Sequence, residues 1–117
     1  MQIVDILMKF YYNLINSING LKEVLKEHSF IYEVFFGIFI IFYLSNFNIN
    51  SDHKMLIIFT YLLLLVTEII NTSIEKICDK ITKKIDPEIK IIKDLSSAAV
   101  FVVLFFLVIL LLISYIK

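Results

Sequence analysis

Arginine does not occur in this chain of 117 residues; its eleven basic side chains are all lysine. The planar fork that grips a phosphate at two points is therefore missing, and any phosphate must meet lysine point charges or metal ions. A single cysteine, Cys78, excludes an intrachain disulfide. Two glycines, Gly20 and Gly37, are too few to write a phosphate-cradling loop or a dinucleotide fingerprint. Net charge is zero, so bulk electrostatics names no nucleic-acid partner. The opening stretch MQIVDILMKF has neither a basic region before an apolar core nor a small-residue cleavage site. No removable signal peptide is expected from it.

What the chain has is apolar mass. Hydrophobic residues make up 60% of it, against ~45–50% in a soluble domain. A single all-α membrane domain over residues 1–117 follows as the expectation. Residues 1–27 read as an amphipathic helix. Ile3, Leu7, Phe10, Leu14, Ile18, Leu21 and Leu25 recur at steps of 3 or 4, with Lys9, Asn13, Asn16, Lys22, Glu23 and Lys26 on the other side. Such a helix can lie in the membrane interface or pack on its own protein, and the two are compatible.

Three runs then approach the ~20 residues a spanning helix needs. They are residues 30–47, 55–74 and 95–116. Pro87, the only proline, starts or breaks a short helix between the second and third. Lysines flank the runs unevenly. Lys9, Lys22 and Lys26 precede the first, and Lys76, Lys80, Lys83, Lys84, Lys90 and Lys93 separate the second from the third, while Lys54 stands alone near residue 50. The positive-inside rule puts the N-terminus and the later connection in the cytoplasm, and residues near 50 outside. His28 and His53 then fall on opposite sides of the membrane and make no metal set with Cys78.

The second run leads straight into EIINTSIEKICDKI. Its Glu68, Asn71, Glu75 and Asp79 are spaced 3, 4 and 4 apart, which gathers them within roughly 80° of helical arc. The stripe begins below the cytoplasmic surface, where a charge costs up to ~2.5–3.5 kcal/mol toward mid-bilayer. One such glutamate is explained by a lysine on a neighbouring helix. Four polar groups on one stripe, joined by Glu27 and Glu33 at the start of the first span, point instead to a site. Glu68 is placed as a general base, and Glu75, nearer water, as a ligand for a divalent cation. Mg²⁺ takes carboxylate oxygens and shares its coordination with substrate phosphates. In KDLSSAAV, the small residues Ser96, Ser97, Ala98 and Ala99 suit close helix packing, and Lys93 suits a phosphate or a topology anchor.

EIINTSIEKICDKI followed by IKDLSSAAV, after the surface helix and KEHSFIYE, resembles the small integral-membrane diacylglycerol kinases of bacteria. Length and span count agree, and the likeness runs from about residue 9 to the end. It implies a homotrimer in the bacterial inner membrane, with the N-terminus cytoplasmic and sites shared between neighbouring subunits. It implies ATP and Mg²⁺, with diacylglycerol as the phosphoryl acceptor and phosphatidic acid as product. By motif, Glu68 falls at the catalytic base, Glu27 and Glu75 at metal and nucleotide ligands, and Lys93 and Asp94 at nucleotide contacts. Substrate contacts fall at Lys9, Ser17, Glu33, Glu68, Asn71 and Ser97. Ile31 and Lys9 stand where the family carries Arg, Ser96 where it carries Gly, and Ile92 where it carries Ala. Two rival readings stay open: an undecaprenol kinase of the same family, and a non-catalytic membrane subunit or ion pathway lined by the acidic stripe.

Overall fold

The computed structural model describes residues 2–116 and contains four helices: α1 (Ile3–Val24), α2 (His28–Asn46), α3 (Ser51–Ile81) and α4 (Pro87–Ile116). The last three are long and apolar enough to cross a membrane. At 1.5 Å per residue, α3 is ~46 Å long, well beyond a ~30 Å hydrocarbon core. Its final turns therefore reach past the apolar run and carry Glu75 and Asp79 with them. The same holds for the first turns of α4, which carry Lys93 and Asp94.

Local chemistry sets each helix end. Asn50 caps α3, its side chain accepting from the Asp52 N–H at 2.9 Å. Asp86 serves α4 in the same way, its Oδ1 accepting from the Glu88 and Ile89 amides at 2.9 and 3.2 Å. Pro87 is the first residue of α4, where its missing N–H costs nothing and its fixed φ suits the turn. No separate short helix forms around it. Residues 82–86 are the whole connection between α3 and α4, and KDLSSAAV lies inside the long helix.

α3 and α4 make the most extensive contact, and α2 packs more lightly on α3. Ile57 and Leu64 of α3 and Leu107 of α4 are fully buried, with Ile40, Leu44 and Leu110 around them. Lipid tails are as apolar as these side chains, so dispersion and close fit hold the helices together rather than escape from water. Tyr43 adds a polar tie, donating its hydroxyl to the Leu111 carbonyl at 2.8 Å. Tyr61 donates to the Glu33 carbonyl at 3.0 Å. Its ring lies across Gly37, where an added Cβ would come 2.1 Å from the tyrosine oxygen. Gly37 is the residue that lets α2 and α3 approach this closely.

α1 stands apart. Val24 is its only buried residue, and Ile3, Leu7, Phe10 and Leu14 are each at least half exposed. Its apolar stripe is not covered by the rest of the described chain. The overall extents are 49 × 48 × 23 Å, and α1 itself is ~33 Å long.

Candidate functional site

The buried face of α3 changes character along its length. Ile57, Thr60 and Leu64 are followed by Glu68, Asn71 and Thr72, all under a tenth exposed. A carboxylate in such a place must be met by donors. Ser29, in the first turn of α2, supplies one: its Oγ donates to Glu68 Oε1 at 2.6 Å. One turn on, the Asn71 Nδ2 donates to Glu75 Oε1 at 3.3 Å, and the Asn71 Oδ1 accepts from Ser96 Oγ of α4 at 2.7 Å. The polar stripe is thus gripped from both sides, by α2 at Glu68 and by α4 at Asn71.

Glu33, one turn beyond Ser29 on α2, carries a second carboxylate on the helix that supplies Ser29. Its Oε2 is buried with no hydrogen-bond partner among the described residues. A buried acceptor left open in this way is a place for a donor from outside the chain.

The residues toward the ends of α3 and α4 form three separate ion pairs. Glu27, the N-cap residue of α2, pairs with Lys76 of α3 at 2.8 Å. Lys93 pairs with Asp79 at 2.5 Å, bridging α4 to the end of the stripe. Lys90 and Asp94 pair along α4 at 2.6 Å. These contacts are exposed or nearly so, which makes them weak and exchangeable. Lys93 and Asp94 are thus taken up by different partners, Asp79 and Lys90. Among the described residues no three of His, Cys, Asp and Glu are arranged to hold a metal ion. Glu27, held by Lys76, and Glu75, held by Asn71, each carry hard oxygen donors of the kind Mg²⁺ takes.

A cleft of about 480 Å³ opens between α1 and α3, lined by Ser17, Gly20, Leu21, Val24, Ile69 and Thr72 among others. Ile69 directly follows Glu68 in the chain. Ser17 itself is exposed, its hydroxyl donating to the Asn13 carbonyl at 3.0 Å. Lys9 lies far out on α1 and meets nothing in the site. Ser97 is exposed on α4, as are Ala98 and Ala99; of the four small residues only Ser96 packs inside the chain. The motif reading missed Ser29, Lys76 and Tyr61 as members of this neighbourhood. Ser29 sits two residues after Glu27 in KEHSFIYE, yet no spacing rule links it to a residue 39 positions away.

Glu68 thus lies under the Ser29 hydroxyl on one of three helices long and apolar enough to span a membrane, with further carboxylates and lysines toward the helix end. A family model, prokaryotic diacylglycerol kinase, matches residues 15–115. The chain belongs to that family, and is a lipid kinase of the diacylglycerol kinase type. No curated protein matches it.

Proposed function

We propose that this protein transfers the γ-phosphoryl group of ATP to the free hydroxyl of diacylglycerol, giving phosphatidic acid at the cytoplasmic edge of the bacterial inner membrane. The observation that carries the reading is the placement of Glu68: 4% exposed, two turns before Glu75 on α3 and bonded to Ser29, with Glu33's open oxygen one turn along α2 from that serine. A greasy alcohol arrives from the bilayer and a nucleotide from water. A base between them must be reachable from the first and linked to the second.

Phosphoryl transfer passes through a loose transition state, so positioning and charge neutralisation do most of the work. Glu68 accepts the proton of the lipid hydroxyl. Asn71 orients Glu75, and Glu33 receives a hydrogen bond from the glycerol headgroup. Glu27 and Glu75 are the residues that would hold Mg²⁺, which when bound neutralises phosphate charge. Lys93, released from Asp79, offers its ammonium to the nucleotide, with Asp94 beside it. The cleft between α1 and α3 admits the acyl chains, with Ser17 on its rim and Ser97 and Lys9 at its approaches. The uncovered apolar stripe of α1 suits the membrane interface, and three copies would complete the site between neighbours.

The ion-pathway reading asks for polar lining across the membrane. Beyond Glu68 the buried face of α3 offers Leu64, Thr60 and Ile57, and the Thr60 hydroxyl is spent on the Leu56 carbonyl at 2.8 Å. The deciding experiment gives the purified protein labelled ATP with diacylglycerol and, separately, with undecaprenol. Label in phosphatidic acid is the expected result. Label in the polyprenol alone would transfer the same site to the other lipid, and label in neither would sink the kinase reading.

A further inference from the structure

Two hydroxyls from outside α3 reach its polar stripe, and neither belongs to the residues given above to substrate, nucleotide or metal. Ser29 Oγ donates to Glu68 Oε1, and Ser96 Oγ donates to Asn71 Oδ1. Hydrogen-bond arithmetic makes both contacts directional. An ionised carboxylate only accepts, so Asn71 must turn its NH₂ toward Glu75. Its carbonyl then needs a donor, and Ser96 is the one supplied. Ser96 is 8% exposed, so bulk water does not take its place. Its single proton has one other acceptor within reach, the Lys93 carbonyl at 3.0 Å. That oxygen lies inside α4, where the helix ladder already serves it, and the shorter contact to Asn71 takes the proton.

At the other end, Ser29 engages one oxygen of Glu68. None of the hydrogen bonds among the described residues reaches the second, Oε2. A glutamate side chain has three rotatable bonds, and a base swinging through them spends little time in line with its substrate. A hydroxyl fixed on the first turn of α2 removes that freedom. It does so from a helix start that also carries Glu27.

We propose that Ser29 and Ser96 are positioning residues of the phosphoryl-transfer site: Ser29 fixes Glu68 so that Oε2 faces the lipid hydroxyl, and Ser96 fixes Asn71 and, through it, Glu75. The proposal rests on the kinase reading above. In the step it serves, the lipid O–H proton passes to Glu68 Oε2. The lipid oxygen bonds to the γ-phosphorus, the bond from that phosphorus to the bridging oxygen breaks, and ADP leaves. Ser29 therefore acts on turnover, whereas Ser96 acts on nucleotide use.

The test uses the full chain in mixed micelles with diacylglycerol and Mg·ATP, reading kcat and KM for ATP separately. Ser29→Ala lowers kcat roughly 10-fold or more, the weight of one hydrogen bond to a charged group, and leaves KM for ATP within about 2-fold. Ser29→Thr, which keeps the hydroxyl, restores most of the loss. Ser96→Gly and Ser96→Ala both raise KM for ATP several-fold, with kcat little changed and the thermal midpoint retained. Wild-type kcat in Ser29→Ala, or a loss that Ser29→Thr does not recover, overturns the first half. Unchanged KM in both Ser96 variants overturns the second. Glu68→Gln run in parallel separates the two levels. If it is inactive while the serine variants behave as wild type, only the positioning proposal falls. If it turns over normally, the base assignment falls as well.

Discussion

At the end of the bundle near residues 47–50, α3 and α4 meet through Ile57, Leu64, Leu107 and Leu110, and a run of rings from Phe39 through Tyr43 and Phe47 to Tyr115 ties α2 to α4. At the end near residues 82–86, α4 meets α3 through Ser96 and Asn71, Asn71 holds Glu75 along α3, and α2 meets α3 through Ser29 and Glu68. Burial is alike in the two halves, yet only the first is apolar. In lipid, apolar packing is enough to hold helices in register. The polar half needs every donor matched to an acceptor, and a half-matched network is worse than none. The difference separates a part of the chain that keeps the helices together from a part that keeps reactive groups in place.

Substitutions one turn apart on α3 put that division under the most pressure. Glu68→Gln should cut turnover by roughly 10²–10⁴-fold, the range for a positioned general base, with the thermal midpoint nearly unchanged. Leu64→Ala should instead cost about 2–5 kcal/mol of stability through the cavity it leaves, with turnover per folded molecule within a few-fold of normal. Lipid phosphorylation and thermal unfolding measured on both variants decide it; a stable, inactive Leu64→Ala would erase the boundary. Next in size, Glu75→Gln should raise the Mg²⁺ and ATP concentrations needed for half-maximal rate by about 10-fold, the effect of a lost charged contact. A titration with an unaltered Mg²⁺ dependence would take Glu75 out of the nucleotide half.

Gly37→Ala sharpens the border itself. Its new Cβ meets the Tyr61 hydroxyl, so the ring must move and its bond to the Glu33 carbonyl breaks. The expected cost is about 1–3 kcal/mol, together with a fall in lipid affinity as Glu33 shifts; unfolding curves and KM for diacylglycerol report the two. The smallest effect lies outside both halves. On α1, the hydrogen bond and charge of Lys26 hold the Glu23 carboxyl below its ordinary value of 4.5. A depressed carboxyl adds stability above its unfolded value and loses it as pH falls through the folded one. Lys26→Gln should return the Glu23 titration toward the ordinary value by NMR, with no change in turnover. A Glu23 titration that Lys26→Gln leaves in place would break that pairing.

Much of this was legible before any coordinates. The lysine-flanked apolar runs predict three helices long enough to span, and three are found. The spacing of Glu68, Asn71 and Glu75 predicts one polar face, and that face carries the buried network. The helix ends were harder. Pro87 reads as starting or breaking a short helix between the second and third spans, whereas it opens the long α4 itself while α3 continues to Ile81, because a helix leaving the membrane needs no apolar residues to persist. The small residues after Lys93 read as packing, yet three of the four face outward from the single chain.

The order of apolar and polar residues by itself determined a helical membrane chain and put the acidic residues on one side of one helix. Helical periodicity and bilayer thickness are local rules, and the sequence obeys them within short windows. Only the tertiary structure decided that Ser29 meets Glu68 and that Ser96 meets Asn71, across 39 and 25 positions of chain. It likewise decided that Lys76 turns to Glu27 and that α1 leaves its apolar stripe uncovered. Such pairings depend on the rotation and depth at which whole helices pack, and no pattern within a single helix encodes those.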